Sequence, residues 1–238
     1  MMMILTVLAV ALAMMAIELF FPAWRRALDG RWVLRAVVFN ALQAATALVG
    51  AVTWDSWFAG SSLVERGALT GAPGIVTGYL LVTFVYYWWH RARHEVPLFW
   101  RFLHRVHHSP ARIEILTTFY KHPAELVLNG LLTSALLYFV LGLEPAIVTG
   151  VVLLTGLAEL FYHWNIRTPR WIGWFLQRPE MHRIHHQRGW HTCNFSDLPV
   201  WDALFGTLDN PRGDVEHCGF VEEEKIAALL LGRSVREV

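Results

Sequence analysis

Gly74–His94 reads Gly-Ile-Val-Thr-Gly-Tyr-Leu-Leu-Val-Thr-Phe-Val-Tyr-Tyr-Trp-Trp-His-Arg-Ala-Arg-His, an apolar run that ends in two histidines four residues apart. The first part suits hydrocarbon, and the last part has the spacing of metal ligands on one helix face. Both features recur along the chain. Met1–Phe21, Val33–Val52, Leu126–Leu143 and Ala146–Tyr162 are further apolar stretches near the ~17–25 residues that cross a bilayer core, with Gly74–Trp89 at the margin of that length. Charges inside them are few: Glu18, Arg35 and Glu159. With 238 residues, 55% of them hydrophobic, the chain reads as one all-α, multi-span integral membrane domain over residues 1–238.

Met1–Phe21 is a poor signal peptide, because no Lys or Arg precedes it and Arg25-Arg26 lies beyond it, so it is expected to stay as a helix. Leu126–Leu143, Glu144-Pro145 and Ala146–Tyr162 form an expected hairpin, with Pro145 opening the returning helix. Thr168–Gln177, rich in Trp and Phe, reads either as a short helix in the headgroup layer or as ordinary packing against the cap.

Loop charges orient the spans. Arg25, Arg26 and Arg31, then Arg91 to Lys121, then Arg167 to Arg188 follow the first, third and fifth spans, whereas Arg66 stands alone on the other side. The positive-inside rule puts these loops in the cytoplasm, and the expected location is a bacterial inner membrane with the histidine-rich cap on its cytoplasmic side.

The histidines form four groups: His90 and His94; His104, His107 and His108, followed by His122; His163; and His182, His185 and His186. His-Arg-Val-His-His and His-Arg-Ile-His-His nearly repeat one another, and i, i+3, i+4 spacing is expected to aim the three imidazoles of each box the same way. So many nitrogens suit two ions better than one. Glu159, four residues before His163, reads either as a partner that orients that ring or as a boundary carboxylate reaching solvent. His191 is a further candidate to orient a ligand.

Other chemistries fit less well. His94-Glu95-Val96-Pro97-Leu98 lacks the second histidine of a zinc-protease helix. Ligands for a haem between helices, or for a transported metal, would lie within the spans. Cys193 and Cys218 are too few for a cysteine-based zinc or iron–sulfur site. The near-neutral charge gives no ground for a nucleic-acid partner. A non-catalytic membrane scaffold with a structural zinc-binding histidine cap stays open as the alternative.

From Gly78 to Pro211 the chain resembles the fatty acid hydroxylase/sterol desaturase superfamily. The resemblance is carried by Tyr86 to His94, Leu98 to Ser109, Lys121-His122-Pro123-Ala124-Glu125, Pro179 to His186, and Trp201-Asp202-Ala203-Leu204-Phe205-Gly206-Thr207. It implies a membrane-bound, non-haem di-iron enzyme that uses O2 to hydroxylate or desaturate a lipid. The implied ligands are His90, His94, His104, His107, His108, His182, His185 and His186, with His122 and His163 as additional candidates. Asn194 and Asp202 fall in matching motifs and are candidates to support the ligands. Zinc could replace the two irons in a preparation, since imidazole binds it at least as well. Electrons are expected from an external ferredoxin, b-type cytochrome or reductase, because no G-x-G-x-x-G fingerprint or cysteine cluster is present, and Arg91, Arg93, Arg101 and Arg105 offer it a basic face. Two positions depart from the pattern: Arg167 stands where some relatives have a further histidine, and Asn194-Phe195-Ser196 replaces Asn-aromatic-Gly.

Overall fold

The computed structural model describes residues 2–25, 27 and 29–238, so Met1 and Arg26, which entered the readings of the first span and of its flank, lie outside the described residues. Among the described residues the fold is all helical, with one isolated bridge, Gln187 to Cys218, in place of any strand. The long segments are Met2–Phe20, Gly30–Val52, Gly71–Glu95, Pro123–Ser134 continued by a π-helical Ala135–Val140, and Pro145–His163.

Three stretches, Gly30–Ala59, Pro123–Val140 and Pro145–His163, are long and apolar enough to cross a membrane, and Leu5–Phe20 is a shorter apolar helix. Gly71–Glu95 is long enough at 25 residues, but its glycines and its Tyr and Trp residues dilute its hydropathy. The second span starts earlier than expected because Asp29 caps Gly30–Val52, its carboxylate accepting from the Arg31 amide at 2.9 Å. That helix breaks at Thr53, whose hydroxyl donates to Val49 O at 2.7 Å, and resumes as Trp54–Ala59. The hairpin is present, with Pro145 at the first position of the returning helix. Its turn passes through Gly142 at φ +58°, where a Cβ would lie 2.7 Å from Val64 O, so glycine alone fits.

Gly71–Glu95 and Pro145–His163 pack closely against each other. A Cβ on Gly78 would sit 2.7 Å from a Val151 methyl, and one on Gly150 would sit 2.9 Å from Ile75. Small residues let the two backbones approach closely, as helices in lipid do. Val82, Leu137, Leu143, Val148 and Val151 fill the space around this contact. Outward-facing Leu34, Val38, Leu48, Val49 and Val52 are exposed, as residues solvated by acyl chains must be.

The cap gathers at one end of the bundle. Glu18 on the first helix accepts from the amides of Ile115 at 3.3 Å and Asn165 at 3.1 Å, which ties that helix to both halves of the cap. Trp32, Ala36 and Phe39 of the second helix pack with Val106, Tyr120, Phe220 and Leu229, joining the bundle to the C-terminal segment. The described residues 21–25 therefore share one side with the connections at 96–122 and 164–238. Thr168–Gln177 contains a short 3-10 helix, Arg170–Trp174, whose Trp171 and Trp174 are exposed.

Candidate metal centre

Nine of the ten ligand candidates meet in two adjoining groups. His90, His94, His104, His108 and His185 form one, His107, His163, His182 and His186 the other, and the possible ligand atoms of each group lie within 4.8 Å of one another. Helical geometry explains why each box serves both. Successive residues turn by about 100°, so positions i and i+4 stay within about 40° while i+3 points to the other flank. His104 and His108 accordingly face the first group and His107 the second; His182 and His186 face the second group and His185 the first. The expectation that all three rings of a box aim the same way is thus corrected. The His108 and His186 rings stack between the groups with centroids 4.1 Å apart.

Local backbone shapes each box. Pro97 opens a short turn after Glu95, and a π-helical segment, Trp100–His104, precedes Arg105–His108. Pro179 starts Pro179–His185.

The outward ring nitrogens are held from behind. His90 Nδ1 donates to Phe195 O at 2.7 Å, His185 Nδ1 to Cys193 O at 2.7 Å, and His163 Nδ1 to Glu159 O at 2.8 Å. His107 Nδ1 donates to Tyr120 O at 3.3 Å. His104 Nδ1 lies 3.1 Å from the Glu125 carboxylate, which is fully buried and also pairs with Arg93. These bonds fix the Nδ1–H tautomer, leaving Nε2 to face inward as a ligand. Inside the groups, Nε2 atoms converge: His90 on His104, His163 on His182 and His182 on His186, each at 3.0 Å.

Burial keeps these rings neutral. His104, His107, His108, His182 and His186 are driven well below the ordinary histidine value, first by burial and then by neighbouring charges, and His185 is lowered to about 3 for the same first reason. Yet the buried nitrogens His94 Nδ1 and Nε2, His108 Nδ1 and Nε2, His182 Nδ1, His185 Nε2 and His186 Nδ1 have no hydrogen-bond partner. Each such atom costs about 1–3 kcal/mol if left so. Coordination of a cation through one nitrogen of each ring would remove that cost at His94, His108 and His185, and with the converging Nε2 atoms the two groups make a donor set that fits metal ions.

The remaining sequence candidates take other places. His122 stands outside both groups: its Nδ1 accepts from the Ala124 amide at 3.1 Å and its Nε2 donates to Leu230 O at 3.1 Å, which occupies both ring nitrogens. Of the two readings of Glu159 neither describes its carboxylate, which pairs with Lys121 at 2.7 Å, while its backbone carbonyl is what meets His163. His191 packs against Trp100 and His108, each at 4.9 Å between centroids, with its Nδ1 3.3 Å from His185 O. Asp202 accepts from the amides of Phe195 at 2.8 Å and Ser196 at 3.0 Å, and burial raises its carboxyl to about 6. It holds the loop whose Phe195 carbonyl orients His90. Asn194, at φ +56°, donates to Met181 O and Asp209 O, both at 2.9 Å. Ser196 fits where glycine is usual, its hydroxyl donating to Thr83 O at 3.3 Å. Arg167 lies away from the second group and pairs with Asp214.

Sequence reading assigned no role to Glu125. The usable signal was its place in the Lys121 to Glu125 motif, together with a basic residue, Arg93, within one turn of two ligand candidates. Arg93 and Arg105 are buried, the latter paired with Glu237, so only Arg91 and Arg101 of the expected basic face reach the surface.

A family profile described as fatty acid hydroxylase matches residues 75–207. This region contains every residue of both histidine groups. The chain belongs to the fatty acid hydroxylase family. Within that family it is similar to a fatty acid hydroxylase of a Lecanicillium species, 34% identical over 145 residues that cover 54% of this chain and 40% of the relative. An ornithine lipid hydroxylase of Rhizobium tropici is 30% identical over 58% of this chain and 42% of its own length. A methylsterol monooxygenase of Aspergillus fumigatus is 32% identical over 58% of this chain and 47% of its own length. The chain thus spans less than half the length of each of these relatives. No solved structure matches it.

Proposed function

We propose that this chain is a membrane di-iron oxygenase that uses O2 and electrons supplied from outside its 238 residues to hydroxylate or desaturate a lipid. The observation that carries this reading is a cavity of about 1180 Å3 inside the helical bundle, which runs from apolar side chains such as Leu8, Leu12 and Val148 to His90, His104, His107 and His182. An alkyl chain fits the apolar part, and its reactive carbon would lie beside the two histidine groups. Iron held there supplies the oxidising power that breaking an unactivated C–H bond requires and that side chains lack.

The protein's own groups do the positioning. Carbonyls of Phe195, Cys193, Tyr120 and Glu159 and the Glu125 carboxylate keep the ligand rings aimed. Lys121, Glu159, Tyr162 and Asp197 line the cavity close to the second group and offer a polar group of the substrate its partners. Burial raises the Asp197 carboxyl to about 7. The relatives named for lipid, sterol and fatty-acid oxidation support this reading over a structural zinc cap, and the cap belongs on the cytoplasmic side by loop charge.

Metal analysis after growth in iron-replete medium should give close to two irons per chain, and lipids from a deletion strain should accumulate an unmodified species that complementation removes. A fixed content of one zinc, with no lipid changed in the deletion strain and no turnover on adding iron, would refute the proposal.

A further inference from the structure

A second pocket, of about 400 Å3, opens on the cap away from the histidines and is lined by Arg167, Arg170, Arg178 and Arg212 with a single acid, Glu180. The acid is already engaged, its two oxygens accepting from the Thr168 amide and hydroxyl, both at 2.7 Å. Arg178 is 3% exposed; it lies 3.3 Å from Glu180 as an ion pair, yet its buried Nε has no hydrogen-bond partner. Arg170 Nε donates to Asn210 O at 3.1 Å, which fixes the plane of its guanidinium. Arg167 is already paired with Asp214 and Arg178 with Glu180, so Arg170 and Arg212 supply the excess of positive charge and of fork-shaped donors, the combination that recognises phosphate.

The neighbouring side chains say where that phosphate comes from. Arg170 opens the 3-10 turn that carries Trp171 and Trp174, with Phe175 just beyond, and these three rings are 64%, 58% and 69% exposed. Exposed indoles beside membrane helices sit at headgroup depth, where lipid phosphates lie.

We propose that this pocket binds the phosphate of one anionic phospholipid headgroup where the cap meets the bilayer. The inference rests on the membrane reading of the apolar helices and is independent of the oxygenase reaction. It makes the Arg170–Trp174 turn a two-part anchor, with aromatic rings in the interface and arginines on a specific lipid.

The test uses the full-length, metal-loaded protein in neutral detergent, with retained lipid read by native mass spectrometry. Dioleoyl phosphatidylglycerol and dioleoyl phosphatidylcholine are offered in equal amounts, with and without millimolar inorganic phosphate. The expected result is one phosphatidylglycerol per chain, not displaced by inorganic phosphate. The R170Q/R212Q variant should weaken that binding by roughly ten-fold or more while its metal content stays unchanged. R212Q alone, at an exposed position, should shift binding in the same direction and serves if the double variant misfolds. R66Q, on the opposite connection, should bind as wild type. Equal retention of both lipids, displacement by inorganic phosphate, or wild-type binding by R212Q in the folded protein overturns the proposal.

Discussion

Glu125 shows how much one buried side chain controls at this centre, because it accepts from Arg93 and from the Nδ1 of His104 with no exposure to water. Glu125→Ala would leave Arg93 buried without its counter-charge, at a cost of about 3–5 kcal/mol. Glu125→Gln keeps the shape and loses the charge, so the expected outcome is a folded protein with roughly 10–100-fold weaker metal affinity, read by metal titration of both variants. Retention of wild-type affinity in Glu125→Gln would show that His104 needs no carboxylate behind it. His122 makes the opposite case, since both its ring nitrogens are spent on Ala124 and Leu230. His122→Gln should keep full metal content and lose only part of a helix cap, about 0.5–2 kcal/mol of stability. His163→Ala, which removes a member of the second group, should release metal as His185→Ala does.

At the scale of elements, the histidine boxes act as cross-links between the two histidine groups, and this yields a test by combination. His108 and His185 face one group, whereas His107 faces the other. The H108A/H185A double variant should therefore lose little more metal than either single variant, while H107A/H185A should lose both ions; metal counted per chain distinguishes them. Equal losses in the two double variants would mean that the groups fill as one unit. The same boxes mark the limit of what sequence could tell. Their spacing picked out the histidines that gather at the cap, and the apolar runs found the three stretches long and apolar enough to span, because both are local patterns of period and composition. Which ring joins which group depends on how two separate boxes dock face to face, and this is a tertiary fact. Glu125, Phe195 and Cys193 were silent for a related reason: a carbonyl or carboxylate behind a ligand is recognised only once a distant segment is folded against it. Glu159 was found by its four-residue offset from His163, but its backbone oxygen rather than its carboxylate does the work, a distinction that side-chain identity could not reveal.

For the whole molecule, topology and acid sensitivity follow from where the charges and neutral rings lie. Reporter fusions after Arg112 and after Asn210 should report cytoplasm and one near Ser61 the other side, and the opposite pattern would refute the proposed orientation. Acid should then destabilise the metal-free protein through the cap. His104, His107, His108, His182 and His186 are held well below 6.5 by burial, and His185 lies at about 3. Below pH 6.5 the unfolded chain takes up protons on these rings and the folded cap does not, so stability falls as pH falls, by about 1.4 kcal/mol per pH unit for each proton of difference. Asp197 and Asp202, raised to about 7 and about 6 by burial, act in the other direction, because the folded state keeps their protons where the unfolded state has lost them. The buried histidines outnumber such acids, which therefore only soften the slope. The unfolding temperature of metal-free protein in detergent should therefore be nearly flat from pH 8 to 7 and drop steeply between pH 6.5 and 5. Loaded protein should hold its stability to lower pH and then release metal as it unfolds, since protons compete with the ions for the same nitrogens. A metal-free protein equally stable at pH 7 and pH 5 would mean that the cap opens and hydrates its histidines before the bundle unfolds.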